Sequence, residues 1–131
     1  MRTEPLWLTR HTVGAIHHAQ IRQHGGSYGV RDEGLIASAL ARPQNRHGYS
    51  PHSDLPEIAA AYGYGLTKNH GFVDGNKRVG FMAMYVFLAL NGLEIEAAEA
   101  EVVVLMTEVA SGERSEEDLA EWLRERAIPL Q

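Results

Sequence analysis

A histidine, a carboxylate and two cations fall within the ten residues 69–78, "NHGFVDGNKR", directly ahead of the most apolar run of the chain, "VGFMAMYVFLAL". Residues of those types in that order could move a phosphate. With Gly75 and Asn76 leading into a helix, Lys77 and Arg78 would stand beside unpaired backbone N–H groups and the positive end of the helix dipole, which together make an anion cradle. Gly75 opens backbone conformations that help amides converge on an anion, and Asn76 can hold such a loop through bonds to its backbone. Asp74 would repel a phosphate unless a cation lay between them, which points to Mg²⁺ shared by carboxylate and phosphate oxygens. Histidine is the residue type that takes a hydroxyl proton near neutral pH, and His70 stands four residues upstream of Asp74. Each residue alone has an ordinary account: Asp74 a helix cap, Lys77 and Arg78 a solvated first turn, His70 a loop residue bonded to backbone. Two adjacent cations at a helix start, however, oppose the dipole and need an anionic partner.

The elements that must carry these residues read as helices. Strand signals are scarce and helical periodicity recurs with start and stop residues, so an all-α, compact, single-domain bundle of about six helices is expected over residues 1–131. A first helix begins near its N-cap Thr9 and runs to about Gln23, stopped by Gly25 and Gly26. Asp32 caps a short second helix bearing Leu35, Ile36, Ala39 and Leu40, which Pro43 should end, leaving 44–54 as a loop. Asp54 and Glu57 resemble a capping box for a third helix with Leu55, Ile58, Ala59, Tyr62 and Leu66 turned inward. Val79 to Leu90, apolar nearly all round, is expected as the central helix, closed by Asn91 and Gly92. A brief extended piece over 93–97, a helix from Glu99 to about Ala110 and a final helix capped by Ser115 complete the chain.

Composition excludes several classes. With 131 residues, 44% hydrophobic and 22% charged, the chain is an ordinary globular one, long enough to bury a core without staples. The net charge of −5 argues against a broad grip on nucleic acid, so no direct DNA binding is expected. The absence of cysteine removes disulfides, thiolate metal sites and thiol nucleophiles. "MRTEPLWLTR" lacks the pattern of a secretory signal, and the apolar run of twelve residues is too short for a membrane span. A cytoplasmic location is the expectation.

The decapeptide resembles the H-x-F-x-D-G-N-K-R signature of the Fic/Doc superfamily, in its death-on-curing branch, the toxins of bacterial toxin–antitoxin pairs. His70, Phe72, Asp74, Gly75, Asn76 and Arg78 match in fixed spacing, and Lys77 marks the branch. "AIHHAQIRQHGG", "YGVRDEGLIASALARP" and "FLALNG" resemble further segments in the same order, so the likeness covers nearly the whole chain. It implies a helical fold that binds ATP and Mg²⁺. By position, His70 would activate the hydroxyl of a target protein, Asp74 would help hold the metal, Gly75 and Asn76 would form the anion loop, Arg78 would clamp phosphate, and Phe72 would anchor the loop in the core. Relatives that transfer AMP usually have Gly where Lys77 stands. The branch with lysine phosphorylates a threonine of elongation factor Tu and so arrests translation, which makes protein phosphorylation the first expectation and AMP transfer the second. The likeness also implies a separate antitoxin chain whose segment folds into an apolar groove. A non-catalytic antitoxin-binding or co-repressor module is the rival of another class; it would need neither His70 nor Asp74.

Gly71, after His70, and Val79-Gly80, after Arg78, depart from the Pro and the Thr-Ala frequent in relatives, and Gly71 in place of Pro should leave the loop less rigid. His17 falls on an apolar stripe and reads as a hydrogen-bonded core histidine. Arg31 precedes a helix that could bring it near the site. In the superfamily the region after the second helix forms a flap that aligns the target, so by resemblance Asn45, Arg46, His47 and Tyr49 are the expected target-docking residues.

Overall fold

The computed structural model describes residues 4–131; the first three, part of the start read above for a secretory signal, lie outside the described residues. Six helices carry the chain: α1 Arg10–His24, α2 Glu33–Tyr49, α3 Leu55–Asn69, α4 Asn76–Leu90, α5 Glu99–Ser111 and α6 Glu116–Arg126. The short strands β1 Leu93–Ile95 and β2 Ala127–Pro129 pair antiparallel, with Leu93 opposite Pro129. The expected extended piece is therefore real, and its partner is the chain end, where no strand pattern was legible.

Capping residues begin the helices as their chemistry demands. Thr9 accepts from the Thr12 N–H, Asp32 from Leu35, and both Asp54/Glu57 and Ser115/Asp118 close full capping boxes. The second helix departs from expectation, because Pro43 lies inside α2 and does not end it. An interior proline costs roughly 3 kcal/mol, but Pro43 continues the buried stripe of Ile36 and Ala39. Beyond it, the Arg46 guanidinium bonds Glu57 at 3.0 Å and Glu116 at 3.1 Å, tying the last turns of α2 to the starts of α3 and α6. Arg124 adds a 2.8 Å bridge to Asp54. These partners lie far away in sequence, which is why local punctuation misplaced the helix end.

α3 packs against α2, α4, α5 and α6, and with α4 forms the middle of the core. The two come close because their crossing is lined with glycine. A Cβ on Gly63 would stand 2.3 Å from the Met84 sulfur, and one on Gly80 would stand 2.3 Å from Thr67 Oγ1. Gly80→Ala is therefore expected to lower stability by roughly 1 kcal/mol, overpacking of about 1–3 kcal/mol being partly offset by helix propensity. In a Thr67→Ala background the same change should cost less but still destabilise, because the Gly63 carbonyl would remain 3.1 Å from the new Cβ; denaturant midpoints would report the difference. The segment ahead of α1 is tied to the core by the buried Tyr62 hydroxyl of α3, which accepts the Leu8 N–H at 2.9 Å and whose pKa burial pushes up to about 12.

Candidate functional site

Because α3 and α4 run antiparallel, the C-terminal end of one and the N-terminal end of the other meet, joined by residues 70–75. His70 is the C-cap of α3 with φ 54° and ψ 49°, the only non-glycine described residue at positive φ. That left-handed turn reverses the chain toward α4. Arg31 secures the turn, donating from Nε to the His70 carbonyl at 2.7 Å and from Nη2 to the Asn69 carbonyl at 3.0 Å. The Gly71 carbonyl accepts the Arg31 and Asp32 N–H groups at 2.8 and 3.0 Å. A Cβ on Gly71 would lie 2.5 Å from Ile36 Cγ1, so this glycine is pinned by packing, contrary to the looser loop expected from the missing proline.

Phe72 drops into the core, 2% exposed, with its ring stacked on His17 at 3.9 Å and 14°, and the Arg10 guanidinium 5.5 Å from its centroid. Asn76 fastens the same residue: Oδ1 accepts the Phe72 N–H at 3.0 Å and Nδ2 donates to the Phe72 carbonyl at 2.9 Å. With its side chain so occupied, Asn76 can offer an anion its backbone amide. Gly75 is the α4 N-cap at φ 81°, a conformation suited to glycine, and α4 starts with no side-chain cap and no acidic residue in its first turn. The N–H groups of that turn are thus free for a ligand.

His70, Asp74, Gly75, Asn76, Lys77 and Arg78 all line one cavity of about 430 Å³, walled also by Thr67 and Ala110. The motif residues expected to act together are brought together. Arg78 Nη2 donates to the Gly25 carbonyl at 3.2 Å, while Lys77 is exposed. Asp74 does not cap the helix: its Oδ2 accepts the Ser27 N–H at 2.8 Å, and a Cβ on Gly26 would crowd its side chain at 3.3 Å. Among the described residues no group of three or more metal-binding side chains exists. One carboxylate beside an anion cradle suits Mg²⁺ arriving with phosphate oxygens, not an ion held by protein alone. Nearby, Lys68 Nζ lies 3.4 Å from the carbonyl of Ala110, at the end of α5.

A second cavity, of about 480 Å³, adjoins the first and shares Lys77 and Arg78 with it. Phe81, Met82, Tyr85, Val102 and Met106 give it apolar walls between α4 and α5, and Gln20 and His24 close it from α1. No spacing in the sequence announced this space, because its walls come from three helices and from Ile95 and Ala97 beyond α4.

The residues expected to dock a target do not line this cavity. Asn45, Arg46, His47 and Tyr49 belong to the last turns of α2, not to a flap. Asp32, at the other end of α2, is the residue beside Gly71, and fourteen residues of helix separate it from Arg46, roughly 20 Å at 1.5 Å per residue. Arg46 is spent on its two ion pairs, and His47 packs edge-on against Trp7 at 5.6 Å. The segment that lies along the motif is 25–31. Val30 bridges Phe72, the Val73 N–H donates to the Gly29 carbonyl at 3.1 Å, and Tyr28 stacks near His18 at 4.8 Å. Gly25, Gly26 and Gly29, all at positive φ, let this strap bend, and the glycine-rich "HGGSYG" was its available signal.

His17 reaches the loop from α1. It is 5% exposed, and its Nε2 lies 2.9 Å from the Asp74 carbonyl. Burial lowers its pKa, opposed by that bond and helped by the nearby Arg10, so the ring is neutral at pH 7 and donates from Nε2.

The Fic/DOC family model matches residues 7–88, the span from the start of the fold through nearly all of α4. The chain belongs to the Fic/DOC family. Within the family it falls in the Doc branch: it is 34% identical to Protein kinase doc of Escherichia phage P1 over 110 residues, covering 84% of this chain and 86% of that protein. It is 43% identical to Toxin Doc of Mycolicibacterium smegmatis over 91 residues, 66% of this chain and 69% of that one. The N-terminal Fic domain of a cell filamentation protein from Bartonella quintana, solved with bound ADP, is 18% identical at a TM-score of 0.49, over 73% of this chain and 49% of that chain. The all-α fold expected from the helical periodicity is the fold observed, and no described helix of this Fic/DOC protein is long and apolar enough to cross a membrane.

Proposed function

We propose that this chain is the toxin of a toxin–antitoxin pair, a protein kinase that moves the γ-phosphoryl group of ATP to a threonine of elongation factor Tu and so arrests translation. The observation that carries the reading is the convergence of His70, Asp74, Lys77 and Arg78 on one cavity at the uncapped start of α4. The Doc relatives named as a kinase and as a toxin support it. All 131 residues would act as one Fic/Doc-like domain in the cytoplasm, with a separate antitoxin chain as restraint.

The roles follow from position. The amides of the first α4 turn, with Lys77 and Arg78, bind the phosphates; Gly75 gives those amides room. His70, exposed at the cavity mouth, accepts the proton of the threonine hydroxyl as that oxygen bonds the γ-phosphorus and the bond to the departing ADP oxygen breaks. Asp74 would hold Mg²⁺, which when bound supplies positive charge to the phosphate oxygens. The adjoining apolar cavity takes the nucleoside, since it shares Lys77 and Arg78 with the phosphate site and is walled by Phe81 and Tyr85. The relative named as a kinase favours this over AMP transfer, the second reading, in which the same His70 would act on the α-phosphate. A non-catalytic binding module would have no use for a base and a carboxylate aimed at one cavity.

A cell-free bacterial translation reaction tests the reading. Protein synthesis should stop after addition of the purified chain and resume its ordinary course when Asp74→Ala is added instead. Undiminished synthesis with the unaltered chain would contradict the proposal.

A further inference from the structure

The site places a residue outside the motif where it governs the motif. We infer that His17 is a positioning residue of the transfer site, holding the 70–75 loop on α1 so that Asp74 and His70 face the cavity together; the inference rests on the transfer reading given above. Two contacts carry it, and close packing beside Gly75 supports them. The imidazole stacks on Phe72 at 3.9 Å, its Nε2 donates to the Asp74 carbonyl at 2.9 Å, and its Cδ2 would lie 3.8 Å from a Cβ on Gly75. One ring thus touches the middle and the end of the loop. No other described donor reaches the Asp74 carbonyl, so that bond alone orients the peptide plane between Asp74 and Gly75. The Asp74 side chain depends on that plane, because its own tie, to Ser27, belongs to a strap with three positive-φ glycines.

Packing alone would not require this residue. A leucine or phenylalanine could fill the space beside Phe72, but neither could donate to the half-buried Asp74 carbonyl, and a carbonyl left without a partner would draw the loop toward water. His17 also sits on a rigid support, since α1 is capped by Thr9 at its start and Ile21, one turn on, lies 3.2 Å from the Cβ positions of Gly26 and Gly75.

Two substitutions separate the ring from the donor. His17→Phe keeps the stack and loses the bond, whereas His17→Gln keeps an amide donor at the same number of bonds from Cβ and loses the ring. In the ligand-free protein, amide hydrogen exchange at residues 72–76 should be about tenfold faster in His17→Phe, the loss of one half-buried hydrogen bond, and His17→Gln should recover much of the protection. Exchange in α3 and α6 should be unchanged in both. By calorimetry, Mg²⁺–ADP should bind His17→Phe about tenfold more weakly. Wild-type exchange at 72–76 in His17→Phe would overturn the inference, as would faster exchange spread evenly through the core, which marks a packing residue. Should the unaltered protein fail to bind Mg²⁺–ADP, the transfer reading falls, while the exchange measurement still decides whether His17 holds the loop.

Discussion

In His70→Ala, transfer from ATP to the target is expected to fall by roughly 10²–10⁴-fold while the protein stays folded. The imidazole is exposed, packs on nothing in the core and makes no side-chain hydrogen bond among the described residues, so its removal opens no cavity. The backbone needs care, because residue 70 sits at φ 54° and alanine tolerates that region less well than asparagine or histidine do. His70→Asn is the matching control, since it accepts the left-handed turn and still lacks a base. Both variants should lose transfer to a similar degree, with melting temperatures within a few degrees of the unaltered chain. If His70→Asn kept transfer within a few-fold, the proton would be leaving by another route and His70 would not be the base.

Phe72→Ala is expected to destabilise the fold by about 3–5 kcal/mol, a large share of the roughly 5–15 kcal/mol that holds a domain together. The ring is 2% exposed, stacks on the His17 imidazole and lies 5.5 Å from the Arg10 guanidinium, so truncation removes the ring face both meet. The cavity has little means of collapse, because Asn76 grips the Phe72 backbone through two hydrogen bonds and Gly71 is held against Ile36. Urea denaturation would report the loss as a lower midpoint at unchanged slope. A loss under 1 kcal/mol would show that the loop repacks and that Phe72 is not its anchor.

What could be read from the sequence, and what could not, follows the range of the interactions. The motif was legible because its parts lie within ten residues and helix chemistry fixes their relation: a glycine and an asparagine ahead of a long apolar helix put Lys77 and Arg78 at its start whatever surrounds them. The caps Thr9, Asp32, Asp54 and Ser115 were legible for the same reason. Pro43 misled because the local rule is a cost, and the compensation came from Glu57 and Glu116, 11 and 70 residues from Arg46. Residues 44–49 were expected in a loop for the same reason: α2 extends to Tyr49, and the segment that borders the motif is 25–31, whose ties to Asp74, Phe72 and Val73 are all long-range. His17 was legible as a core histidine, but its bond to Asp74 spans 57 residues and needed coordinates. α3 takes its place in the middle of the core through glycines and alanines, whose importance lies in how closely other helices approach.

The central claim is that this cavity sends the terminal phosphate of ATP to a protein hydroxyl. It is tested most directly by incubating the protein with elongation factor Tu and Mg²⁺, using ATP labelled at the γ-phosphate in one reaction and at the α-phosphate in another. Label on elongation factor Tu from the γ position, with none from the α position, is the predicted result. Label from the α position alone would contradict it and make the protein a transferase of AMP.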